Sequence, residues 1–199
     1  MTFVTKGQET KSAILDEALS LASRIGFTGL TIGQLAEQTG MSKSGLFAHF
    51  QSKEQLQLQT LAHARQKFID TTVRPALAVT RGEKRVRELF ERWITWETEV
   101  LAGGCIFVTG SIEFDDQPGS MRDALVADQR DWLDTIATVV ETAVAEGDFR
   151  SDVDPRQFAF EIQGLTLGFH HSARLLDDEQ ALDRVRTAFE AILDRARAR

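Results

Sequence analysis

Between Gly26 and Ser52 the sequence punctuates itself every few residues, and that spacing admits few folds. Gly26 can stop a helix, Thr31 can start one, Gly40 can stop it, and Ser42 and Ser52 can start two more. A hydroxyl side chain accepts a hydrogen bond from the free N–H groups of a helix's first turn, and glycine reaches the left-handed backbone that ends one. Helices cut this short gain little stability alone and must pack together as a compact unit. Ahead of them, Ile14, Ala18, Leu21 and Ile25 recur at three-four spacing and predict a longer helix from Thr10 to about Ile25. Ile32, Leu35 and Ala36 give the second helix an apolar face, Leu46, Phe47 and Phe50 serve the third, and Ser52 caps a fourth opening Lys53-Glu54-Gln55-Leu56.

The rest of the chain reads as helix as well. Only three prolines occur in 199 residues, which favours long uninterrupted helices. Each is expected at a helix edge: Pro75 after a charged helix, Pro118 after Asp115-Asp116-Gln117, and Pro155 directly after a capping Asp154. Helices are predicted over 82–101, 105–114, 118–146, 154–176 and 179–197, with loops at Gly103-Gly104 and Asp115-Asp116. No window sustains strict apolar-polar alternation, so no sheet is expected and the fold class is all-α.

A helix, a glycine turn and a second helix with a polar first turn form the pattern of a helix-turn-helix, whose second helix enters the DNA major groove. That helix would begin Ser42-Lys43-Ser44-Gly45. Short side chains let it approach base edges, Lys43 can donate to guanine O6 or N7, and its free N–H groups attract phosphate.

The run from Thr31 to Glu54, TIGQLAEQTGMSKSGLFAHFQSKE, with the preceding helix from Ile14, resembles the N-terminal signature of the TetR family of repressors. The match combines Thr at the start of the second helix, Ala at its middle, Gly at the turn, Leu-aromatic-x-His-Phe, and Lys three residues on. The resemblance implies a DNA-binding domain over residues 1–55, and a helical ligand-binding and dimerisation domain over 56–199. It implies groove contacts from Lys43, Ser44, Phe47 and Ala48, phosphate contacts from Thr31, His49 and Lys53, and a place at the DNA for Ser42, the cap of the same helix. One departure stands out: the family usually has Tyr where this chain has Phe47, and the chain contains no Tyr. Either a phosphate contact is lost or Phe47 meets thymine methyls.

For the second domain the resemblance implies a dimer through the last two helices and an enclosed ligand cavity. Leu182, Val185, Phe189 and Ile192 alternate spacings of three and four as a helix seam requires, and Phe158, Ile162, Leu165 and Phe169 share one face of the helix before, near Gly164 and Gly168. The same stripes also suit an intramolecular core. Trp93, Trp96, Phe107, Phe114, Gln163 and His170, with Trp132 and His171, are the candidate cavity walls for an apolar or amphipathic effector.

Charge and chemistry narrow the function. The net charge of −7 does not fall on the first domain, where Lys6, Lys11, Arg24, Lys43 and Lys53 balance Glu9, Asp16, Glu17, Glu37 and Glu54. A phosphate backbone tolerates that part and repels the rest. No phosphate loop, nucleophile elbow or His-Glu-x-x-His is present, and Cys105 sits in an apolar run that disfavours a thiolate, so no enzyme and no cofactor are expected. His170 and His171 are adjacent and point about 100° apart on a helix, so no metal site is expected. No apolar run approaches the roughly 20 residues of a membrane span, and Met1 to Lys11 lacks a signal-peptide core, so a cytoplasmic location is expected. The expected protein is a ligand-responsive regulator, a repressor, that binds a double-stranded, pseudo-palindromic DNA operator as a homodimer and is released by a small effector. The alternatives are a helical dimer acting through protein partners, or an enzyme.

Overall fold

The computed structural model describes residues 6–198. In chain order the helices are α1 (Lys6–Gly29), α2 (Ile32–Thr39), α3 (Lys43–Phe50), α4 (Lys53–Phe68), α5 (Arg74–Ala78), α6 (Glu83–Thr95), α7 (Ile106–Phe114), α8 (Ser120–Ala145), α9 (Pro155–Arg174) and α10 (Ala181–Ala196). Two π-helical turns, Ile69–Val73 and Trp96–Val100, join α4 to α5 and extend α6. No strand occurs among the described residues beyond one isolated bridge, Phe149 with Arg197. The all-α expectation holds, and so do the predicted helices from 105 onward, each within a few residues.

The chain condenses into two compact units, one running to Lys67 and taking in Leu101–Val126, the other formed by Phe68–Val100 and the chain from Ala127 onward. In the first, Gly26 (φ 75°, ψ 167°) kinks α1 so that Phe27 turns inward and is fully buried with Leu19, Leu30, Leu35, Leu46, Phe50 and Leu56. Ile25, placed by its spacing on the buried face, is instead exposed at the kink. The loop before α7 presses on α1 so closely that a Cβ on Gly103 would stand 1.8 Å from the Ser23 carbonyl oxygen.

In the second unit α6, α8, α9 and α10 share an aromatic core. Phe90 stacks on Phe189 with centroids 3.8 Å apart, Trp93 meets Phe169 edge-on at 5.8 Å, and Phe149 stacks on Phe158. Asp154 caps α9 as expected, accepting from the Arg156 and Gln157 N–H groups. Asp148 caps α6 from a distance, accepting the Glu83 N–H at 2.8 Å.

Pro75 corrects the sequence reading. It lies in the first turn of α5 rather than beyond a helix end, and the helical path continues from α4 through it. Proline supplies no N–H and crowds the carbonyl four residues before it, here that of Thr71. The wider π-helical turn over Ile69–Val73 precedes it, and the Arg92 guanidinium donates to the Thr71 carbonyl at 3.4 Å.

Candidate nucleic-acid interface

Local hydrogen bonds build the two short helices. Thr31 Oγ1 accepts the Gln34 N–H at 3.2 Å to open α2, Gly40 (φ 67°) turns the chain, and Ser42 Oγ accepts the Gly45 N–H at 3.1 Å to open α3. Leu46 and Phe50, four residues apart, are fully buried and fix which side of α3 faces inward. The opposite side is thereby presented to solvent: Ser42, Lys43, Ser44, Phe47 and Ala48 are all exposed, Phe47 at 56%. An apolar ring this exposed, framed by small polar groups, suits apolar contact with a base edge.

The expected phosphate contacts are placed around that face. The Lys43 ammonium leans back over the start of α2, where a Cβ on Gly33 would meet Lys43 Nζ and Thr31 Oγ1 each at 3.8 Å. A cation, a hydroxyl and the free N–H groups of a helix start converge there, which is the chemistry that holds an anion. Lys53 Nζ donates to the Thr28 carbonyl at 2.6 Å, so its charge is held at the junction of α1 and α2. His49 is half-buried, its ring tilted against Phe50. Sequence reasoning missed Gln57, buried on α4, whose side chain donates to the Phe27 carbonyl at 2.5 Å, and Glu113 on α7, whose carboxylate accepts from Phe27 and Thr28.

The proposed effector residues are divided between the two units. Phe107 and Phe114 belong to the first unit, on α7. In the second unit a small cavity of about 10 Å³ is lined by Val86, Leu89, Phe90, Trp93, Trp132, Ile136, Val139, Phe158, Ile162, Thr166 and Phe189. Trp93 and Trp132 thus wall a common space. Trp96 is fully buried edge-on to Phe68 at 5.1 Å, Gln163 donates to Gln129 at 3.4 Å, and His170 Nδ1 lies 2.7 Å from the buried Glu97 carboxylate.

Most of the predicted dimer seam faces the subunit's own core. Phe158, Ile162, Phe169, Val185, Phe189 and Ile192 are buried within the subunit, and Leu165 and Leu182 half-buried. An apolar stripe buries itself against the nearest apolar surface, and here the stacked Phe90 and the edge-on Trp93 already supply one inside the chain. The outer side of α9 carries a different set: Phe160, 71% exposed, with Leu167 exposed beside it and open space over Gly164 and Gly168, and Leu175 and Leu176 exposed just past the helix end.

Among the described residues no cluster of His, Cys, Asp or Glu is arranged to hold a metal ion, and no helix is long and apolar enough to cross a membrane.

A capped helix-turn-helix with an exposed polar recognition face, followed by a helical second unit, defines a DNA-binding regulator. Residues 14–60 match the family described as bacterial regulatory proteins, tetR family, and residues 82–189 match the tetracyclin repressor-like C-terminal domain. The chain belongs to the TetR family and is a helix-turn-helix transcriptional regulator. It is 23% identical over 185 residues to the HTH-type transcriptional regulator SrpR of Pseudomonas putida, covering 88% of this chain and 80% of that one. Its fold is shared by a TetR transcriptional regulator from Chloroflexus aurantiacus J-10-FL (29% identity, TM-score 0.84, 98% and 99% of the two chains covered). It is also shared by AibR, solved in complex with isovaleryl coenzyme A and operator DNA (24% identity, TM-score 0.68, 88% and 95% covered).

Proposed function

We propose that this regulator is a cytoplasmic repressor without catalytic activity, which binds a pseudo-palindromic operator as a homodimer and is released by a small apolar or amphipathic effector. The observation that carries the reading is α3: two buried anchors hold it, and Ser42, Lys43, Ser44, Phe47 and Ala48 face outward together. In this reading residues 1–55 do the DNA work, with Thr31, His49 and Lys53 toward phosphates, and 56–199 carry effector and dimer functions. AibR, which shares the fold, has been solved with both a small ligand and operator DNA, and that supports the same pairing of tasks here.

The outer side of α9, through Phe160, Gly164, Leu167, Gly168 and Leu175, is the dimer face we propose. Glycines one turn apart allow another helix to approach closely, and exposed large apolar side chains beside them gain from being covered. The effector enters the space walled by Trp93 and Trp132. A 100-fold loss of operator affinity needs about 2.7 kcal/mol of coupling, within reach of one filled apolar pocket.

The test is to select duplexes from a random pool with the full chain, then titrate hydrophobic compounds while following operator release and tryptophan fluorescence together. Compounds that release the operator should change the fluorescence at the same concentrations. Release without any fluorescence change would place the effector away from Trp93 and Trp132. A chain that retains no duplex even at low salt would favour the reading as a dimer acting through protein partners.

A further inference from the structure

Glu113, on the last turn of α7, closes onto the segment that leads into the DNA-reading helices. Its Oε2 accepts the Phe27 N–H at 2.7 Å and its Oε1 the Thr28 hydroxyl at 2.8 Å. Both donors lie just past the α1 kink, and a Cβ on Gly26 would stand 1.8 Å from Glu113 Oε1, so the glycine leaves the space the carboxylate occupies. The carbonyls of the same two residues are held by α4: Gln57 donates to Phe27 at 2.5 Å and Lys53 to Thr28 at 2.6 Å. Phe27 and Thr28 are therefore gripped on their donor groups by α7 and on their acceptor groups by α4. A second tie lies close by, where the Ser120 hydroxyl donates to Glu54, the neighbour of Lys53. All these residues belong to the first unit.

We propose that Glu113 is a positioning residue for operator recognition: by bonding Phe27 and Thr28 it fixes the carbonyl that holds Lys53 and the point from which α2 and α3 set out. The proposal rests on the reading of Lys53 and α3 as the DNA-facing surface. A hydrogen bond to an ionised acceptor is stronger than one between neutral groups, and an amide in its place keeps one weaker oxygen acceptor while turning an NH2 group toward the other donor. The connector then loses its definition, and the groups it spaces no longer match successive phosphates and base edges.

The sign of the effect separates this role from two simpler ones. A carboxylate that only adds negative charge repels phosphate, so its removal strengthens binding to every duplex. A carboxylate that only holds the fold together weakens binding to every duplex when lost. A positioning carboxylate, when neutralised, weakens binding to the selected operator while binding to random duplex is unchanged or stronger, because non-specific binding needs charge but little registration.

The experiment uses the full chain and two labelled duplexes of equal length, one enriched by the wild type from a random pool and one of random sequence, followed by fluorescence anisotropy. Glu113→Gln should lose about tenfold in affinity for the enriched duplex and nothing for the random one. Thr28→Val, which removes one of the two bonds from the other side, should show the same split at about threefold. Lys53→Ala added to Glu113→Gln should cost less than Lys53→Ala alone, since both act through one arrangement. Equal losses on both duplexes, gains on both, or strictly additive losses with Lys53→Ala would each overturn the proposal. A wild-type chain that enriches no duplex overturns the DNA-facing reading itself, before any variant is compared.

Discussion

Helices α3 and α9 answer the same demand, to be held by the fold and still offer a working surface, with very different amounts of helix. The eight residues of α3 bury Leu46 and Phe50 and leave the remaining positions in solvent or at the margin. One stripe anchors and the other side is free, so identifying the anchor identifies the surface. The twenty residues of α9 bury Phe158, Ile162, Thr166 and Phe169 while exposing Phe160 and Leu167 on another side, with Leu175 exposed just past its end. With apolar groups on two sides, knowing that one is buried says nothing about which covers the other. Periodicity reports burial; it does not report the partner.

The comparison breaks first at Phe189, which stacks on Phe90 at 2% exposure. Phe189→Glu puts an unpaired charge into the subunit core and should remove at least about 4 kcal/mol of stability, lowering the helical signal and melting temperature in circular dichroism. A variant that melts like the wild type but sediments as a folded monomer would mean that this stripe is a subunit interface after all.

The complementary change, Phe160→Glu, lies on the exposed side of α9. It should weaken dimerisation by about 2–3 kcal/mol, read by sedimentation as a shift toward monomer at micromolar concentration, with helical content unchanged. A sedimentation profile identical to the wild type's would move the dimer face elsewhere.

On α3, Lys43 distinguishes base reading from phosphate holding. If it reads a base, Lys43→Ala should cost about 1–3 kcal/mol and relax sequence preference at one position of the operator. If its lean over Gly33 persists in the complex, the loss should be uniform across sequences, with the salt slope lowered by about one per head, as is expected of Lys53→Ala.

The smallest effect concerns the polar edge that joins α10 to α6. Arg197 and Arg87 donate to Glu83, and Arg87 also donates to Glu190. The bond from Arg197 holds the Glu83 carboxyl below its ordinary value against the opposing effect of burial, and the bond from Arg87 does the same for Glu190. Lowered folded-state values mean that this stability is present above the unfolded value of about 4.5 and is lost as pH falls through the folded values. Since Glu190 is about half exposed, its share should stay below about 1 kcal/mol. Thermal melts of the wild type and Glu190→Gln should therefore differ at pH 7 and converge as the pH falls below the lowered folded-state values.

Most of the first unit was legible because its instructions are local. Thr31, Ser42 and Ser52 each bond the N–H three residues on, and Leu46 and Phe50 are neighbours on one turn. Glu113 was not legible, since its donor Phe27 lies 86 residues away and nothing in the spacing of α7 marks it. Gln57, 30 residues from its acceptor, reads from sequence as one more polar residue on a charged helix. Phe107 and Phe114 were grouped with Trp93 because all are aromatic on predicted helices, a criterion blind to the return of α7 into the first unit. Pro75 was read as an end because a π-helical turn leaves no mark in residue spacing.

The small volume left between Trp93, Trp132 and their neighbours bears on time as well as affinity. Ligand pockets commonly measure about 300–1,000 Å³, against about 10 Å³ here. On the proposed reading the rings must swing aside before an effector can enter, so the chain behaves as a gated receptor. The observed rate of response then rises with effector concentration only until it meets the rate of opening, and stays level beyond it. The concentration needed for half response exceeds the true dissociation constant by the inverse of the open fraction. Such a receptor filters its input: a pulse shorter than the opening time is answered only by the fraction of molecules that open while it lasts, whatever its height.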